Sequence, residues 1–131
     1  MNYTNFLVSK TILIVEDDLS SRLYLNKVLE NTGAALLNAF DGQEAIDITR
    51  QNSDIDLILM DIQLPLIDGY QASETIRTFR KDIVIIAQTA YGLHGDTERL
   101  VNSGFNDFII KPIMPKLLFE KICACLAIAD N

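Results

Sequence analysis

The sequence predicts a doubly wound α/β domain, a parallel sheet with helices on both faces. Three observations predict it. Apolar runs such as "TILIV", "DLILM" and "IVIIAQT" are continuous, as strands buried on both faces require. Segments of helical spacing separate them, and strand and helix alternate along the chain with no internal repeat. The length, 131 residues, suits one domain. That is enough chain to bury about two-thirds of its unfolded surface.

The elements follow in order. Thr11–Glu16 is the first strand. A helix from Ser20 to Thr32 carries Leu23, Leu25, Val28 and Leu29 at helical spacing and closes at Gly33. Ala34–Phe40 is the second strand. Asp41 and Gly42 open a helix through Gln51 that turns Ala45, Ile46, Ile48 and Thr49 inward. Asp56–Met60 is the third strand, ending in Asp61, and a loop with Pro65 leads to a helix from Tyr70 to about Phe79. Ile83–Thr89 is the fourth strand, Asp96–Ser103 a polar helix closed by Gly104, and Asp107–Ile110 a short fifth strand. After Lys111–Pro112 a last helix runs from Pro115 to about Ala129. Residues 1–9 lack the basic start and apolar core of a signal peptide. They are expected to be a short, poorly ordered leader or linker remnant ahead of a domain spanning residues 10–130.

Composition narrows the function. Hydrophobic residues make up 49% and charged residues 22%, an ordinary globular balance that argues against disorder. The net charge of −7 is unsuited to nucleic acid or direct contact with an anionic membrane; it favours cations or a basic partner surface. No apolar run approaches the roughly 18 residues of a transmembrane helix, and the cytoplasm is the expected compartment. Cys123 and Cys125, two apart on a helix, point to different faces and are expected to be small hydrophobes.

The chemistry gathers where the strands end. In a doubly wound sheet, ligands bind outside the carboxyl ends of the strands, where the strand order reverses. Here the first strand runs into Glu16, Asp17 and Asp18, the third ends in Asp61, the fourth in Thr89 and the fifth in Lys111. Like charges so placed repel and are costly to desolvate, unless a divalent cation offsets them. An all-oxygen set with few protein ligands suits Mg²⁺ shared with phosphate oxygens. A lysine and a threonine at the same rim are the donors a phosphoryl group needs. A carboxylate can itself be the nucleophile, giving an acyl phosphate.

Blander readings of each residue are weaker in this setting. Asp61 could cap a helix, but Pro65, Asp68 and Gly69 show that the helix begins later. Thr89 could be an ordinary β-branched strand residue and Lys111 a surface lysine, were they not beside the acids. His94 stands without a second histidine or cysteine nearby in sequence, which argues against zinc. Tyr91, just past Thr89, is a surface aromatic able to shade the site.

The segments "ILIVEDDLSSR", "DLILMDIQLPLIDGYQA", "IIAQTAY" and "GFNDFIIKP", in this order and spacing, resemble the receiver domain of two-component response regulators over nearly the whole chain. The resemblance implies a flavodoxin-like sheet of five parallel strands in the order 2-1-3-4-5. It makes Asp61 the phosphoacceptor. Glu16 and Asp17 become the acidic pair that holds Mg²⁺ with Asp61 and the main-chain carbonyl of Gln63. Arg22 fixes that register and leaves Asp18 outside the pair. It makes Thr89 the switch hydroxyl, Phe108 the rotating aromatic, and Lys111 the lysine that pairs with the phosphoryl group, followed by a peptide bond to Pro112 that is usually cis. The implied partners are a histidine kinase or histidine phosphotransfer protein, with a phosphorylation-dependent homodimer as a further expectation. The wording of the third-strand and fourth-strand segments is most like receivers attached to hybrid sensor histidine kinases; a single-domain regulator is the other context.

Two other classes remain to be weighed. A Mg²⁺-dependent phosphohydrolase with an aspartyl-phosphate intermediate would want an acid two residues after the nucleophile, where Gln63 stands. A flavin carrier on the same fold would want a phosphate cradle where the first strand instead ends in acids.

Overall fold

The computed structural model describes residues 2–90 and 97–128. Its elements are β1 (Thr11–Val15), α1 (Leu19–Glu30), β2 (Ala35–Ala39), α2 (Gly42–Gln51), β3 (Leu57–Asp61), α3 (Gly69–Arg77), β4 (Val84–Thr89), α4 (Thr97–Asn102), β5 (Asp107–Ile110) and α5 (Pro115–Cys125). The five strands form one parallel sheet in the order β2-β1-β3-β4-β5, as expected. β1 and β3 run side by side with Val15 opposite Met60, so the order reverses beside the strand that carries Asp61.

The apolar runs are buried on both faces because successive side chains alternate across the sheet. Leu13, Val15, Ile58, Met60 and Ile85 pack against α2, α3 and α4 through Ile46, Ile76 and Leu100. Ile12, Ile14, Leu57, Leu59 and Ile86 pack against α1 and α5 through Leu25, Leu29, Leu118 and Ile122. In α1 only Leu25 and Leu29 are buried, whereas Leu23 is exposed. The i, i+4 pair shares the inner face and Leu23 falls outside it. The helix starts are chemically specified: Asp18, Asp41 and Asp68 each accept a backbone N–H from the first turn, and Asp68 completes a capping box with Gln71.

The N-terminal segment departs from expectation, because it is folded onto the domain. The Asn5 and Leu7 N–H groups each donate to carbonyls at the end of α1, those of Asn31 and Thr32, at 2.8 Å. Leu7 is fully buried in the α1/α5 core, and the rings of Tyr3, Phe6 and Phe119 meet at 4.9–5.6 Å. Carbonyls past a helix end need donors, and this strap supplies two. Gly33 makes room for it: its φ is +83°, and a Cβ there would sit 3.2 Å from Asn5 Oδ1.

The last helix is also shorter than expected. It ends at Cys125, Leu126 caps it, and Ala127 turns to φ +54°. Cys123 and Cys125 form no disulfide. The Lys111–Pro112 bond is cis. Tyr91, His94, the expected start of α4 at Asp96 and the expected end of α5 at Ala129 lie outside the described residues.

Candidate functional site

Asp61 is the last residue of β3 and is 3% exposed, at the carboxyl edge of the sheet. Its Oδ1 accepts the N–H of Gln63 at 2.9 Å, and its Oδ2 accepts from Lys111 Nζ at 3.0 Å. Gly69 keeps the loop after β3 tight against it, since a Cβ there would lie 2.4 Å from the Asp61 carbonyl oxygen. Any side chain at Gly69 would have to push this corner apart.

Glu16 follows β1 and is 1% exposed, with Oε2 at 3.5 Å from Lys111 Nζ. Its backbone is fixed on both sides. The Glu16 N–H donates to Ala39 at 3.1 Å, and Arg22 donates to the Glu16 carbonyl at 3.1 Å while its guanidinium lies over the Phe40 ring. Asp17 projects at the exposed rim. One carboxylate oxygen from each of Glu16, Asp17 and Asp61 lies within 4.8 Å of the other two, close enough for one cation. Asp18 is turned away from them, its carboxylate accepting the Ser21 N–H at 2.8 Å; that backbone bond lowers its pKa.

The electrostatics fit a site with more negative charge than Lys111 can balance. Burial, followed by the hydrogen bond and charge of Asp61, pushes the Glu16 carboxyl up to about 8, against the opposing pull of Lys111. For Lys111, burial pulls downward, but the hydrogen bond and charge of Asp61 and then Glu16 outweigh it and hold the ammonium above its ordinary value. A divalent cation at this rim reverses the logic for Glu16 and favours its ionised form. The donor set is all oxygen, which fits a hard cation.

Thr89 ends β4 and is buried, and its carbonyl accepts the Lys111 N–H at 2.8 Å, so backbone pairing carries the lysine to the acids. Phe108 sits opposite Ala87 on the α2/α3/α4 side of the sheet, half-buried, with Lys121 Nζ 5.3 Å from its ring centre. Gln63 is exposed beside Asp61.

One buried polar residue escaped the sequence reading. Gln88, in "IIAQT", is fully buried next to Asp61 in the β3–β4 register. Its Nε2 donates to the Leu59 and Val15 carbonyls at 3.2 and 3.4 Å. An amide interrupting an apolar strand was the available signal.

A parallel doubly wound domain whose strand ends bring three carboxylates and a lysine to one rim belongs to the class of phosphoryl-handling α/β proteins. The comparisons narrow that class to one family. Residues 12–123 match the response regulator receiver domain, and the chain belongs to that family. It is a receiver domain of two-component systems, and the phosphohydrolase alternative is not favoured. A curated relative, the hybrid signal transduction histidine kinase I of Dictyostelium discoideum, is 35% identical over 95% of this chain, which spans 8% of that kinase's length. The receiver domain of a Pseudomonas aeruginosa sensor histidine kinase, solved with a magnesium ion coordinated in its active-site cleft, is 31% identical. It has a TM-score of 0.84 and covers 92% of this chain and 99% of its own. The receiver domain of Saccharomyces cerevisiae Ssk1, crystallised with the histidine phosphotransfer protein Ypd1, is 30% identical with a TM-score of 0.85, covering 92% of this chain and 91% of the other. Among the described residues, no helix is long and apolar enough to cross a membrane.

Proposed function

We propose that this receiver takes a phosphoryl group from a phosphohistidine onto Asp61. The observation that carries the reading is the Asp61 carboxylate held 3.0 Å from Lys111 within a three-carboxylate rim. In the transfer, an Asp61 oxygen forms the new P–O bond as the P–N bond to the donor histidine breaks, leaving an acyl phosphate. Attack by water on that phosphorus later returns the free carboxylate. Glu16, Asp17, Asp61 and the Gln63 main-chain carbonyl would hold Mg²⁺. Mg²⁺ bound there offsets the charge of the carboxylates and of the transferring phosphoryl oxygens. Lys111 and the Thr89 hydroxyl bind those oxygens, which orients the group and stabilises its charge.

The proposed switch follows from the same residues. Thr89 moving toward the phosphoryl group vacates space for the Phe108 ring, whose lack of a hydroxyl makes burial cheap in hydrogen bonds. The surface formed around α4 and β5 then has two states, and phosphorylation biases it, with a phosphorylation-dependent homodimer as one output.

A histidine kinase or histidine phosphotransfer protein is the proposed partner, supported by the likeness to the Ssk1 receiver crystallised with Ypd1. The net charge of −7 supports no role for nucleic acid. The likeness to the Dictyostelium kinase supports a place within a hybrid histidine kinase, on its cytoplasmic side, ahead of a stand-alone regulator. Incubation with Mg²⁺ and acetyl phosphate tests the reading by intact-mass spectrometry. One acid- and base-labile phosphoryl adduct is expected, absent from Asp61→Asn. Full labelling in EDTA, or in the Asp61→Asn variant, would sink it.

A further inference from the structure

The two edges of the sheet are finished differently. β5 starts at Asp107, which pairs with Lys121 of α5 at 3.2 Å, and runs into Lys111. β2 reads ALLNA, and no charged residue stands anywhere between Glu30 and Asp41. It contains no proline, and its residues match those of β1 one for one, so no bulge interrupts it. Charge, proline and bulges are the devices that keep an edge strand from pairing with another chain. An edge that lacks all three is open to a further strand.

The free backbone groups can be named. The Ala35 N–H donates to the Lys10 carbonyl, and the Ala39 carbonyl accepts from the Glu16 N–H. Backbone groups alternate along a strand, so Ala35, Leu37 and Ala39 point theirs at β1. Leu36 and Asn38 point theirs outward, where the sheet has no further strand. The free groups therefore lie symmetrically about Leu37. Antiparallel strands pair residues whose N–H and C=O both face across. A twofold axis at Leu37 sets Leu36 against the partner's Asn38 and Asn38 against the partner's Leu36, each pair exchanging N–H···O=C bonds. Leu37 then meets the partner's Leu37 as the close, apolar pair between them.

Charge supports the same axis. Asn26 of α1 and Asn38 exchange side-chain hydrogen bonds at 2.8 and 3.1 Å, which sets them level. α1 runs antiparallel to the strands it connects, so one step back from Asn38 to Leu37, about 3.3 Å, matches about two residues onward along α1. The axis thus falls between Lys27 and Glu30, both exposed and lining a dent beside Leu36. Rotation about it brings Lys27 beside the partner's Glu30, opposite charges facing each other.

We propose that two copies of this chain pair antiparallel through β2, joining their sheets into one about a twofold axis at Leu37. The contact is a short edge with one helix flank, so the dimer is weak, with a dissociation constant on the order of 0.1 mM. It lies at the opposite edge from β5, and it does not depend on phosphorylation of Asp61.

Sedimentation equilibrium of the full unphosphorylated chain, from micromolar to millimolar, should show this dimer. Amide hydrogen exchange on the same samples reads the register. Exchange at Leu36 and Asn38 should slow as the dimer fills, while Ala35, Leu37 and Ala39, already paired with β1, should not respond to concentration. Lys27→Glu changes an exposed residue and should weaken the dimer about fivefold, the worth of two surface ion pairs. Adding Glu30→Lys to that variant should restore it. A monomer at millimolar concentration, a dimer whose Leu36 and Asn38 amides ignore concentration, or a charge swap that fails to restore would overturn the proposal. A dimer that forms only after acetyl phosphate treatment would overturn it as well.

Discussion

Two partly buried charged clusters, one at each end of the sheet, show how differently a fold can treat charge. At the amino ends of the strands, Arg77 of α3 donates to the carbonyls of Gly104, Lys81, Arg80 and Ile83 and to the Asn106 side chain. Burial lowers its pKa, yet its donors are engaged, and the planar fork joins α3 to the turn before β5. At the carboxyl ends, Glu16 and Asp61 share one lysine, with Asp17 close by. The first cluster is complete in itself. The second has one ammonium for three carboxylates, so without a further cation Glu16 is held towards its protonated form.

The comparison breaks most visibly at Arg77. Arg77→Ala should cost about 3 kcal/mol, because it removes at once the donors of four carbonyls, three of the contacts being half-buried ones to Gly104, Arg80 and Ile83. In thermal unfolding that is a fall of about 10 °C, with labelling at Asp61 intact. Arg77→Lys restores the charge but not the fork and should recover less than half of the loss. A negligible effect of Arg77→Ala would remove the contrast.

A smaller effect concerns pH at the opposite end. The Glu16 carboxyl has an ordinary value of 4.5 and is raised to about 8 in the fold. Between those values the folded chain holds a proton that the unfolded chain lacks. The contribution of Glu16 to stability is therefore full below about 4.5 and is lost as pH rises through about 8. In EDTA the wild type should lose on the order of 2 kcal/mol more than Glu16→Gln across that window. Mg²⁺ should flatten the decline, since it favours the ionised carboxylates. Parallel pH profiles for the two proteins would show that Glu16 is not under this strain.

The smallest effect belongs to Asp17, which is exposed and solvent-screened. Asp17→Asn should raise stability in EDTA by about 0.5 kcal/mol and remove the gain produced by Mg²⁺. A large loss of stability would mean that Asp17 is structurally paired rather than held for a cation.

Legibility in the sequence tracked the same contrast. The strands were readable because their apolar runs are local signals, and the acids because each directly follows such a run or ends it. The family resemblance, with Arg22 fixing the register, separated Asp18 from Glu16 and Asp17, but its role as the cap of α1 was not read from the sequence. Arg77 was opaque, since its acceptors are mostly backbone carbonyls, which every sequence carries. The N-terminal strap was misjudged because its meaning depends on Phe119 and the carbonyls of Asn31 and Thr32, all distant in sequence from Phe6 and Leu7. The early end of α5 was missed because Ala127 adopts a left-handed φ without being glycine. Gln88 was passed over because its strand was read from its apolar neighbours.

The central claim, that the incomplete cluster exists to receive a phosphoryl group at Asp61, is tested most directly by locating the group. After phosphorylation by a phosphohistidine donor in Mg²⁺, borohydride reduces an acyl phosphate to the alcohol and so converts the acceptor aspartate to homoserine. Peptide sequencing by mass spectrometry should then find homoserine at position 61 and at no other carboxylate. Homoserine at position 17 or elsewhere, or a phosphoryl group that borohydride cannot displace, would contradict the account.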